Sequence, residues 1–140
     1  MNIIAMTKRK ASLIRIKYTL STLDIANDEL PQFFNPLHYH PELELTLVEQ
    51  SSGIRTVADS VERFEPGDLV LVGADVPHRW KNDLVEDADG QPVQAKAIVV
   101  KFLPDFPGTS YWELPEMRPV QKLIYETALQ IGRASCRERV

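Results

Sequence analysis

The run His38-Tyr39-His40-Pro41-Glu42-Leu43-Glu44-Leu45-Thr46-Leu47-Val48 carries both a strand and a cluster of donor side chains. From Glu42 to Val48 polar and apolar residues alternate almost strictly, the pattern of a strand with one buried face. His38 and His40 are two apart, so on an extended chain both point to the same side. Glu44 shares that parity, but six extended residues cover about 20 Å. It can share a centre with His38 only if the chain bends at Pro41, which interrupts the regular pleat. The third and last histidine, His78, follows Pro77. A hairpin or barrel that brings His78 alongside gathers three imidazoles and a carboxylate. That set suits a borderline divalent metal such as zinc, iron, nickel or manganese.

Outward from this run, turn signals recur at short intervals: Asn35-Pro36, Ser51-Ser52-Gly53, Asp59-Ser60, Pro66-Gly67-Asp68 and Asp89-Gly90-Gln91-Pro92. Between them lie strand-like segments at Leu13 to Tyr18, Ile54 to Ala58, Asp68 to Val72 and Ala95 to Phe102. Many short strands with turns between them predict an all-β sandwich or barrel. The rhythm breaks after Phe102, where prolines accumulate, and Tyr111 to Leu114 reads as a short helical turn. From Arg118 to Ile131 the apolar spacing is helical, with Val120, Leu123, Ile124, Ala128 and Ile131 near one face and Thr127 the one polar residue in the stripe. Pro119 suits the first turn of this helix and Gly132 its end. Residues 132–140 are basic, lack apolar periodicity and contain the only cysteine. They read as a foreign tail of the kind translated from adapter sequence, or as a frayed basic end. The expected division is a barrel with connector over 1–117, a linker or dimerisation helix over 118–131 and a non-native tail over 132–140.

Composition narrows the class. The chain has 140 residues, 44% hydrophobic and 26% charged, enough for one domain with one core. No apolar run approaches the roughly 18 to 20 residues of a membrane span. No signal-peptide core follows Lys8-Arg9-Lys10, and the single cysteine excludes an internal disulfide, so a cytoplasmic location is expected. The net charge of −4 argues against nucleic-acid binding by this segment, since phosphate contacts need a basic face.

The motif His38-x-His40-x-x-x-Glu44, then Pro66-Gly67-Asp68, then His78-x-x-x-Asn82 resembles the two motifs of the cupin superfamily. The match has departures. No glycine opens the first motif, the spacing from Glu44 to Gly53 is long, and Gly73 and Asp75 stand where that pattern has a proline and a glycine. The run from Asn35 to Asn82 further resembles the effector-binding barrel of AraC-type transcription regulators. Trp112-Glu-Leu-Pro-Glu-Met-Arg-Pro-Val-Gln-Lys-Leu123 looks like the connector that follows that barrel.

The resemblance implies a cupin double-stranded β-barrel of jelly-roll type from about residue 12 to 102, followed by a C-terminal α-helix. It also implies a non-catalytic sensor that binds a small-molecule effector, such as a sugar, in the barrel. Such a domain pairs as a homodimer and reaches DNA only through a helix-turn-helix half that this segment does not contain. In that setting His38, His40, Glu44 and His78 either hold a divalent metal or line a polar effector pocket. Trp80, two residues after His78, faces the same side and either stacks on the effector or packs in the core. Arg55 either pairs with an anionic effector or is a solvated strand charge. The competing reading is a self-contained metal-dependent cupin enzyme, a dioxygenase or isomerase.

Overall fold

Two sheets surround the His38–His78 region. The computed structural model describes residues 12–13, 23–33, 36–129 and 136–139. Among these, in chain order, the strands are β1 (Ser12–Leu13), β2 (Leu23–Leu30), β3 (His38–Tyr39), β4 (Leu43–Gln50), β5 (Gly53–Val57), β6 (Ser60–Phe64), β7 (Asp68–Val72), β8 (His78–Asn82), β9 (Ala95–Phe102) and β10 (Cys136–Arg139). One sheet runs β1-β3-β8-β5-β6 and the other β10-β7-β4-β9-β2. Neighbours are antiparallel except β1 and β3.

Alternation sorts the side chains. On β4, Glu44, Thr46 and Val48 face inward and are buried, while Leu45 and Leu47 on the other face are half-buried. On β8, His78, Trp80 and Asn82 face inward, and Arg79 and Lys81 face water. The core joins both sheets: Val57, Phe64 and Trp80 from one meet Val48, Val70, Val72, Ala97 and Val99 from the other. Packing of the two inner faces makes this a cupin-type β-barrel with a helix after it.

Asp68–Val72 and Ala95–Phe102 form strands with the bounds their β-branched runs predict. Gly67 turns the chain into β7 at φ 91°, a conformation that suits glycine. The predicted helical turn is α1 (Thr109–Trp112), and after the 3₁₀ turn Pro115–Met117 the long helix is α2 (Arg118–Leu129). Ile131 and the expected strand residues beyond Leu13 lie outside the described residues. Strand β2, Leu-Asp-Ile-Ala-Asn-Asp-Glu-Leu, escapes a pattern reading because both of its faces carry acidic residues. It forms an eight-residue register with β9, Leu23 opposite Phe102 to Leu30 opposite Ala95.

The apolar stripe of α2 is partly covered: Thr127 is buried and Leu123 and Ile124 are half-buried, whereas Val120 is exposed. The helix seats on the loop after β7, where Gly73 admits its backbone. Within residues 132–140, read from the sequence as a foreign or frayed tail, Cys136–Arg139 lies antiparallel to Asp68–Leu71. Backbone pairing on a sheet edge needs no side-chain pattern, so periodicity gave no sign of it. Among the described residues no helix is long and apolar enough to cross a membrane.

Candidate metal centre

The chain bends at Pro41–Glu42 between β3 and β4, as the reach from His38 to Glu44 requires. His38 on β3 stands directly opposite His78 on β8, and Glu44 approaches from the other sheet. One donor atom from each of His38, His40, Glu44 and His78 lies within 4.8 Å of the other three, and all four residues are buried. The His40 and His78 Nε2 atoms sit 3.1 and 3.2 Å from the same Glu44 oxygen, Oε2.

The backbone sets the tautomers. Nδ1 of His38 lies 2.8 Å from the Pro36 carbonyl, that of His40 3.1 Å from the Glu42 carbonyl and that of His78 2.8 Å from the Val76 carbonyl. A carbonyl only accepts, so each Nδ1 carries the proton and a neutral ring offers Nε2 as a lone pair. For His40 and His78 that lone pair then faces a carboxylate oxygen, acceptor against acceptor. Only a cation between them, a proton or a metal ion, makes the arrangement favourable. Three oriented imidazoles and one carboxylate fit a divalent metal by number, chemistry and outer hydrogen bonding.

Burial opposes ionisation of Glu44, but in the metal-free site, where a proton takes the place of the ion, hydrogen bonds from His40 and His78, with the charges of His78 and Lys101, hold its carboxyl well below the usual range. The other oxygen, Oε1, accepts from the Thr46 hydroxyl at 3.0 Å. Burial and the adjoining His78 push His38 below its ordinary value, toward the neutral ligand form.

Beside the centre is a cavity of about 60 Å³, lined among others by Asp28, His38, Glu44, Thr46, Trp80 and Lys101. It is smaller than the ~150 Å³ that accommodates benzene. Trp80 both lines this cavity and packs in the core, edge-on to Phe64 at 5.2 Å between ring centroids. Arg55 is not the solvated strand charge that the sequence allowed. It is buried, its guanidinium pairs with Glu62, and it lies 5.7 Å from the Trp80 ring centroid, outside the cavity lining. Register explains this: Arg55 stands opposite Trp80 on one side and Glu62 on the other.

Three residues of the site were not singled out from the sequence. Thr46 shares the parity of Glu44, which marks it as inward. Lys101 shares the parity of Ala95, Ala97 and Val99 and stands opposite Glu44 in the sheet. Glu42 is buried, with Oε2 3.3 Å from His40 Nδ1. It was hidden because the bend breaks the alternation there.

Residues 30–89 match the family model of the cupin domain. No curated protein matches the chain. Solved structures of oxalate decarboxylase from Bacillus subtilis are similar to it. A tryptophan-to-tyrosine variant is 22% identical, with a TM-score of 0.46, over 57% of this chain and 21% of that one. A serine-to-alanine variant is 16% identical, with a TM-score of 0.45, over 84% of this chain and 33% of that one. The chain thus spans no more than a third of the length of those proteins.

The expectation of a non-catalytic domain is corrected here. The sequence left a metal site and a polar effector pocket both open at His38, His40, Glu44 and His78, and the structure gathers the four as one ligand set beside a cavity. A metal held in that way would supply Lewis-acid chemistry. The four-donor centre removes the ground for that expectation: residues 30–89 match the cupin domain, and the β-barrel carries a centre suited to a divalent metal ion.

Proposed function

We propose that the chain is the metal-binding barrel of a cupin enzyme, acting on a small molecule held in the cavity beside His38 and Glu44. The observation that carries this reading is the gathering of four buried donor residues, each imidazole oriented by a backbone carbonyl, with the Nε2 atoms of His40 and His78 on one Glu44 oxygen. His38, His40, Glu44 and His78 would hold the ion, which supplies Lewis-acid polarisation of a bound oxygen. Thr46 and Lys101 keep Glu44 ionised and oriented. Ala97, Val99 and Phe33 on the cavity wall limit access of water.

The test is elemental analysis of protein purified without a histidine tag, before and after chelation, with turnover of small organic acids followed in parallel. Near-stoichiometric metal, and turnover lost on chelation and restored by one metal, is the expected result. A protein that takes up no zinc, iron, nickel or manganese overturns it.

A second reading, the sensor barrel of an AraC-type regulator, draws on the loop between β7 and β8. Gly73 touches Thr127 of α2, Asp75 N donates to the His40 carbonyl at 2.8 Å, and the Val76 carbonyl holds His78. Binding at the centre would thereby reach α2. In this reading α2 would pair two subunits and lead to a DNA-binding half. Protection of α2 from proteolysis that changes on ligand binding supports it; protection indifferent to ligand opposes it.

A further inference from the structure

Two residues that line the cavity carry hydrogen-bond donors with no acceptor among the described residues. The indole nitrogen of Trp80 is buried and makes no hydrogen bond. A buried donor left without an acceptor costs about 1–3 kcal/mol, so a polar partner is called for. Lys101 is only partly exposed, and its nearest ion pair, to Glu44 Oε2, is 3.8 Å long, beyond hydrogen-bond distance. Its three N–H groups are therefore available. Among the described residues, Lys101 is also the only cationic side chain in the cavity lining. The wall opposes these donors with Asp28, half-buried on the edge strand β2.

We propose that Trp80 and Lys101 form an anion subsite next to the metal centre that takes the carboxylate of a small monocarboxylic acid. A carboxylate brings the acceptor oxygens that both donors lack, and a charge-assisted bond to Lys101 is stronger than a neutral one. The cavity of about 60 Å³ restricts the ligand to a few heavy atoms. Asp28 on the same wall repels a second carboxylate. The inference rests on the metal-centre reading for where the rest of the ligand sits, but the carboxylate contact itself needs only Trp80 and Lys101.

Calorimetric titration with acetate, acetamide and malonate tests this, on metal-loaded and on chelated protein, with metal content measured alongside. Acetate should bind the loaded protein more tightly than the isosteric neutral amide and more tightly than malonate. Lys101→Met, which keeps the apolar stem, should weaken acetate by about tenfold or more when the two proteins are compared at equal metal loading. Trp80→Phe should weaken it too; because Trp80 is also a core residue, Lys101→Met decides the matter alone if Trp80→Phe fails to fold. Equal binding of acetate and acetamide, or a folded Lys101→Met protein that binds acetate like the wild type, overturns the subsite. Lys101-dependent acetate binding by a protein that holds no metal supports the subsite and sinks the metal-centre reading.

Discussion

Gly73 and Thr127 meet backbone to backbone: a methyl group placed on Gly73 would lie 2.6 Å from the Thr127 carbonyl oxygen. This contact seats α2 on the loop that also holds His40, through Asp75 N, and His78, through the Val76 carbonyl. It gives a reason for glycine where the cupin pattern carries proline, since any Cβ would displace helix or loop. Gly73→Ala should destabilise the protein by about 1–3 kcal/mol, the usual cost of overpacking, and should also weaken metal binding because the loop moves. Thermal melts and a metal titration check both effects. An unchanged melt would mean that α2 is not seated there.

Arg55 offers a separation between structure and site. Its buried guanidinium pairs with Glu62, which is about one-third exposed, so loss of the arginine leaves a carboxylate that water can partly rescue. Arg55→Met should cost about 1–3 kcal/mol, and adding Glu62→Gln should recover part of it. Metal content and acetate affinity should stay as in the wild type. Urea unfolding of the two variants reads the first effect. A variant of normal stability that no longer binds ligand would return Arg55 to the site.

The barrel and its four donors were legible in the sequence because both depend on local rules. Parity put His38, His40 and Glu44 on one side, Pro41 supplied the bend, and β-branched runs marked β7 and β9. What escaped depends on partners distant in the chain. Strand β2 is held by its register with β9 rather than by an alternating pattern of its own. Arg55 is buried because Glu62 and Trp80 flank it across two strand pairs. Within the stripe of α2, Thr127 is more buried than Leu123 and Ile124, because the helix docks through close backbone contact at Gly73.

Acid should unfold the metal-free protein in two overlapping windows of the same sign. Burial and His78 depress His38 below 6.5, so the unfolded chain takes up that proton more readily. Its contribution to stability is complete above pH 6.5 and is lost as the pH falls through the folded value. Burial works against the Glu44 charge, but His40, His78 and Lys101 outweigh it and hold the group well below 4.5. That contribution is present above 4.5 and is lost at lower pH. The urea midpoint should therefore fall from about pH 7 downward, and His38→Gln should flatten the upper window only. A midpoint that rises on acidification through about pH 6 contradicts this.

Thr46→Val tests the support behind Glu44 without touching a ligand atom. The Thr46 hydroxyl donates to Glu44 Oε1 at 3.0 Å, while Oε2 faces His40 and His78. The hydroxyl thus holds the carboxylate rotated with one oxygen toward the centre. Thr46 is buried and β-branched in β4, so valine keeps shape and strand preference and removes one donor. Such outer hydrogen bonds typically contribute about 10–100-fold to metal affinity, whereas one hydrogen bond contributes only about 1 kcal/mol to folding. The variant should melt near the wild type when metal-free and bind metal about tenfold or more weakly. Thr46→Ser, which restores the hydroxyl, should recover most of the affinity. Competition with a chromogenic chelator measures all three proteins on one scale. If Thr46→Val binds metal as the wild type does, Glu44 is oriented by the imidazoles alone.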